Sequence, residues 1–241
     1  MNATVAQLTA RSLLGGKRTI LLIALPAVLI LLALIARGLA GRDDKVAVGV
    51  LGGFALATLV PLLGLIAGTG AIGPEIDDGS IIYLLSKPLS RFSIATTKIV
   101  IAVAVISVFA AVPTLLAGLI LAGPSNLAVA FALGALIAGA AYGALFVLLA
   151  VITRHAVVIG LLYALIWETL VGNFVPGAQA LSIQQWALAV TQKVLGGQAS
   201  TLKVDSAVSL AVGVVFLLIV IVGGTWYAGW RLRSLRLTSD E

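Results

Sequence analysis

Residues 75–98 read EIDDGSIIYLLSKPLSRFSIATTK, with Pro74 immediately before them. They form a charged, amphipathic island between long apolar blocks. Glu75, Asp77 and Asp78 open the island, the apolar Ile81, Ile82, Leu84 and Leu85 follow, and Lys87, Arg91 and Lys98 close it. Acids at a helix start suit the positive end of the helix dipole. Pro74 is expected to break the exit from the preceding block, and Pro88 to stop the segment. The pattern predicts a short helix, acidic at one end and apolar on one face, held close to a membrane by the spans on either side. It is too short to fold alone. Either it touches something soluble, or it is an interfacial loop that only keeps two spans apart.

The rest of the chain makes the membrane reading firm. Of 241 residues, 61% are hydrophobic and 10% charged, and the mean hydropathy is +1.19. No soluble globular domain carries that much apolar surface, so a polytopic membrane protein is the class. With no cysteine, the chain has no disulfide, thiol catalysis or cysteine metal site. The net charge of +6 does not argue for nucleic acid. Its arginines and lysines cluster at the ends of apolar blocks, where they set topology and meet anionic lipid. Arg11, Lys17 and Arg18 precede an apolar block too long for a signal-peptide core, so that block is read as a retained anchor.

A helix needs about 20 apolar residues to cross a bilayer. Six blocks serve, near 19–40, 46–72, 97–122, 127–152, 156–175 and 207–230. Continuous apolar runs argue for helices rather than the alternating strands of a barrel. Six spans put both termini on one side. Ten lysines and arginines then fall on the terminal side and five on the other, which predicts cytoplasmic termini and a cytoplasmic island. Residues 176–206 fall outside. Residues 1–17 read as a short interfacial helix, with Val5, Leu8, Leu13 and Leu14 on one face. Gly49 and Gly53, Gly64 and Gly68, and Gly139 and Gly143 are each four apart, a spacing that lets membrane helices approach closely. Pro26 and Pro113 lie inside spans and are expected to bend them.

Glu75, Gly79, Ser80, Leu84, Leu85, Ser86, Pro88, Ser90, Arg91 and Lys98 follow in the order of a known motif. The segment resembles the one that ABC-2 type transporter permeases carry between their second and third spans. That family reads E-x-x-x-G-T, a hydrophobic alternation, L-L-S-x-P, a hydrophobic residue, S-R, and a lysine opening span three. Ser80 stands where threonine is usual and keeps the hydroxyl. The resemblance covers essentially the whole chain, 1–241, as one transmembrane domain. It implies that 74–92 is a coupling helix seated in a groove of a separate cytoplasmic ATPase subunit. Glu75, Asp77 and Asp78 would meet basic or polar groups there. Ile81, Leu84 and Leu85 would pack nearby, with Gly79, Pro88 and Arg91 completing the segment. The resemblance further implies two such ATPases, which bind ATP and magnesium, and a second permease copy or paralogue. No cofactor is implied for this chain itself. A P-loop needs Gly-x-x-x-x-Gly-Lys-Ser/Thr, and the nearest string, Gly15-Gly16-Lys17-Arg18, lacks both the first glycine and the hydroxyl residue.

Three other places carry polar residues worth naming. Glu168 is an acid well inside an apolar block. An ionisable group at membrane depth is costly and points to function, as part of the path, a cation site or a subunit contact. The alternative is a hydrogen-bonded structural acid at the outer interface beside Trp167. Arg154 and His155 form the turn between spans four and five, either as a second ATPase contact or as topology-setting charges. In LSIQQWALAVTQKVLGGQ, from Leu181, the apolar Leu181, Trp186, Leu188 and Val194 alternate with Gln184, Gln185, Gln192 and Lys193. This predicts one or two amphipathic helices dipping into the outer leaflet, with Trp186 a candidate for the path or outer gate. Trp226, Tyr227 and Trp230 with Arg231, Arg233 and Arg236 read as an inner anchor for the last span.

Two other function classes compete with an exporter permease. A self-standing carrier or channel driven by an ion gradient would show several intramembrane charges and an internal repeat, and neither is evident. A membrane-embedded enzyme would need paired acids, histidines or a nucleophile with a base, and the chain has one histidine.

Overall fold

The computed structural model of the chain describes residues 3–78, 90–171 and 177–234. No strand occurs among the described residues. Lipid offers backbone groups no partners, so the chain satisfies them within helices. Helix α1, Ala3–Leu14, precedes α2, Lys17–Ala40. Then come α3, 44–77; α4, 91–122; α5, Asn126–Ile152; and α6, Ala156–Glu168. Helices α7, Ile183–Leu195, and α8, Gln198–Leu202, lead into α9, Leu210–Leu232. Five of these, α2, α3, α4, α5 and α9, are long and apolar enough to cross a membrane. The chain is a multi-pass membrane protein. The block expected to span at 156–175 contains α6, which is apolar but shorter than the other five.

Helix α5 is the hub. In its most apolar stretch 61% of residues are buried, against 17% in α9 and 22% in α2, so those two stand at the periphery. It packs against α3, α4, α7 and α9. Small residues make this possible, because helices in lipid associate through close packing. A Cβ on Gly64 of α3 would lie 2.5 Å from the Cβ of Tyr142, and one on Gly68 would lie 2.7 Å from that of Phe146. On another face of α5, a Cβ on Gly139 would lie 2.7 Å from the Ile106 side chain of α4. Two of the three glycine pairs are therefore contact sites. The third, Gly49 and Gly53, faces open space.

Several helices widen locally into π-helical stretches. Gly49–Leu59 in α3 runs up to Pro61, and Ser107–Ala111 in α4 runs up to Pro113. Proline has no N–H to give the carbonyl four residues back. An i to i+5 register just before it re-pairs the backbone, and Val60 N–H bonds the carbonyl of Ala55. Pro74 does not end α3. The helix continues through it to Asp77, contrary to the break expected there. Beside this turn a side chain, the Lys98 ammonium, takes the carbonyl of Ala71 at 2.7 Å.

Helix α1 packs on the bundle rather than only lying on a surface. Val5, Thr9 and Leu13, one face at i, i+4 and i+8, are buried. Their neighbours are the facing ends of α3 and α4. Leu8 and Leu14, expected on the same face, are exposed. The α1 end of the bundle also holds the turn between α5 and α6 and the end of α9. There Tyr227 and Trp230 stack at 5.4 Å, and Trp226 is exposed. Arg236 lies outside the described residues.

Candidate functional site at the polar ends of the bundle

At the α1 end, α3 and α4 flank the acidic island. Ser90 caps the helix that begins at Arg91 by accepting the N–H of Ser93 at 3.1 Å. Lys98 lies about two turns further on, facing α3. Its side chain is 1% exposed, and Nζ donates to Glu75 Oε1 at 2.7 Å as well as to the Ala71 carbonyl. A bare ammonium buried this far would be prohibitively costly, and pairing makes it tolerable. Glu75, 28% exposed, thus spends one oxygen on its own chain. Asp78, at the end of the same helix, is exposed. Of the other residues named in this segment, Gly79, Leu84, Leu85 and Pro88 lie outside the described residues, as do the side chains of Asp77 and Arg91. Arg154 and His155 are exposed in the turn at this same end, where the N–H of His155 bonds Thr153 Oγ1 at 3.2 Å.

Glu168 lies deep in the fold. Its side chain is fully buried. Tyr163 Oη donates to Oε1 at 2.8 Å, and the Ile183 N–H donates to Oε1 at 3.0 Å. Ser182 Oγ donates to Oε2, and the Gln184 N–H approaches the same oxygen at 3.4 Å. The carboxylate therefore sits on the N-terminus of α7, where free N–H groups and the helix dipole favour an anion. Ser182 is the N-cap of α7 and accepts from the Gln185 N–H. The Tyr142 ring of α5 is fully buried beside this carboxylate. Tyr142 is sixteen residues beyond Asn126 in α5, about 24 Å along it at 1.5 Å per residue. Glu168 thus sits among four donors inside the bundle rather than at its surface.

From that depth α7 runs back along α5. Thr191 meets Gly134, where an added Cβ would collide with its hydroxyl. Trp186 stacks on Phe216 of α9, centroids 5.2 Å apart, and its Nε1 donates to the Ala180 carbonyl at 2.8 Å. Gln184 and Gln185, expected on a wet face, are buried at 4% and 7% exposure. Gln185 has a reason to be. Its Oε1 accepts the Ala207 N–H at 3.1 Å and its carbonyl accepts Ser206 Oγ at 2.8 Å. Gln192 Oε1 takes the Ser206 N–H at 3.4 Å. So α7 is pinned at its start to α6 through Glu168 and along its flank to the loop before α9. It packs as a plug within the bundle rather than as a surface helix. Ser182, Ser206 and Lys98 were not singled out from sequence for these roles. The serine before an apolar run was the available signal for the first, as a helix cap.

Compared with known protein families and with curated proteins, the chain matches none of them.

Proposed function

We propose that this chain is the transmembrane permease subunit of an ATP-driven exporter of the ABC-2 type. In this reading the five long helices and the shorter α6 make six spans, both termini are cytoplasmic, and the α1 end faces the cytoplasm. The segment 74–92 receives a separate ATPase subunit that carries ATP and magnesium. Two permease copies, or this chain and a paralogue, enclose the path.

The observation that supports the reading best is the Lys98–Glu75 pair at the base of the island. A lever needs a stiff root. The pair joins the end of α3 to the start of α4, so a push on the residues between them moves both spans together. Glu75 then serves the root more than the partner, and exposed Asp78 is left to meet a basic group on the ATPase. Charge complementarity of that kind sets register and pairing. The α1 helix, packed on the same two spans, would move with them. At the other end the plug α7 would respond through α6 and α9, to which it is bonded.

The test is purification of the full chain from its native membrane followed by an assay for ATP hydrolysis. An ATPase subunit is expected to copurify, and substitution of Leu84 and Leu85 by Asp is expected to release it. An ATPase retained unchanged by that variant, or none at all, contradicts the proposal.

A further inference from the structure

A cavity of about 470 Å³ opens at the end of the bundle opposite α1. Its apolar wall is Gly52, Gly53 and Ala57 of the π-helical part of α3 with Phe131 of α5 and Leu188 of α7. Its polar wall is Gln184, Lys203 and Asp205. The size falls within the roughly 300–1,000 Å³ of small-molecule sites, which pair mostly apolar walls with a few polar groups.

Two observations distinguish this cavity from a packing defect. Gln184 is 96% buried, being 4% exposed, yet its Oε1 makes no hydrogen bond. A buried acceptor left unmet costs about 1–3 kcal/mol, so a donor from outside the chain would repay it. Lys203 and Asp205 are both exposed at the cavity edge, and neither is ion-paired among the described residues.

The chemistry follows from these groups. Gln184 Oε1 and Asp205 both accept, so the ligand must present N–H donors with positive charge. Lys203 asks for an anion a short distance away. The glycine-lined apolar wall asks for a hydrocarbon tail. We propose that this cavity binds an amphiphile with a zwitterionic, primary-ammonium head, of the phosphoethanolamine type, its ammonium toward Gln184 and Asp205 and its phosphate toward Lys203. The site involves neither nucleotide nor a second subunit, so it stands or falls separately from the proposed coupling.

The test uses the full chain in detergent with native mass spectrometry of retained lipid. Phosphatidylethanolamine is the probe. Phosphatidylcholine keeps the phosphate but has no N–H, and phosphatidylglycerol has no ammonium. Retention of phosphatidylethanolamine about tenfold above both is expected, one tenfold step being 1.4 kcal/mol. Gln184→Met should abolish the preference over phosphatidylcholine. Gly53→Leu should reduce all retention by filling the cavity, and its Cβ meets nothing within 4 Å, so the fold should tolerate it. Soluble phosphoethanolamine, lacking the tail, should not displace the lipid. Equal retention of the three lipids overturns the proposal. So does a preference unchanged in both variants, and so does displacement by the soluble head group, which would remove the apolar wall from the site.

Discussion

Glu75 and Lys98 lie 23 positions apart in the chain and meet at 2.7 Å, tying the end of α3 to the start of α4. The pair brackets residues 79–89, and its geometry makes Lys98 depend on Glu75 more than the reverse. Lys98 is almost fully buried, whereas Glu75 is 28% exposed. Replacing Glu75 with Gln therefore strands a buried charge. The expected loss is about 3 kcal/mol, the lower end for a broken buried pair. The double change Glu75→Gln with Lys98→Met should recover most of it. Thermal unfolding of the three proteins in one detergent checks this, and a double variant as unstable as Glu75→Gln alone would refute the pairing.

Glu168 predicts a different phenotype, local rather than global. Glu168→Gln keeps one acceptor oxygen but gives up the negative charge on the α7 N-terminus, a loss of about 1–2 kcal/mol. Ser182→Ala removes the cap and the donor to Glu168 together, at a cost of about 1 kcal/mol. Both should raise amide hydrogen exchange within 183–195 while leaving 126–152 protected. Equal exchange in both segments would mean that α7 is not held by this acid.

The glycines give a graded series. A side chain at Gly68 would lie 2.7 Å from Phe146 Cβ and 3.2 Å from the Val147 nitrogen, and neither can yield without moving α5. Gly68→Val should cost about 1–3 kcal/mol by overpacking. Gly49→Ala, where an added Cβ meets nothing, should be neutral or slightly stabilising because alanine favours helix. Equal stability of the two variants would show that the α3–α5 crossing is looser than described.

How much of this was legible in sequence depended on whether the cause was local. Run length alone located the long helices within a few residues, since lipid thickness sets that length for every span. Two glycine pairs pointed to real crossings, but nothing in the spacing separated them from Gly49 and Gly53, which differ only in what stands opposite. Lys98 read as a topology charge at the mouth of a span. Its burial depends on Glu75, a partner set by how two spans dock. Gln184 and Gln185 read as a wet face because glutamine usually is wet, and Gln185 is buried because a distant segment, 206–207, comes to meet it. Pro74 read as a helix end, whereas α3 carries through it. In each miss, the deciding contact is long-range.

Topology can be read directly because the chain has no cysteine of its own. His155→Cys, at the α1 end, and Ser200→Cys, at the other, are both exposed positions. A membrane-impermeant maleimide added to intact cells should label position 200 alone, and position 155 only after the membrane is opened. Labelling of position 155 in intact cells, alone or with position 200, would contradict the proposed six-span layout.

The most direct measurement of the central claim is the ATP hydrolysis rate of the assembled complex in vesicles, compared between the native chain and Asp78→Lys. Asp78 is exposed and its change leaves the Glu75–Lys98 root intact. Charge reversal on the island is expected to lower permease-dependent ATP turnover by about tenfold or more, the effect of like charges across a docking surface, while the unfolding temperature stays unchanged. Native turnover in Asp78→Lys, together with native turnover when Leu84 and Leu85 are also replaced by Asp, would contradict it.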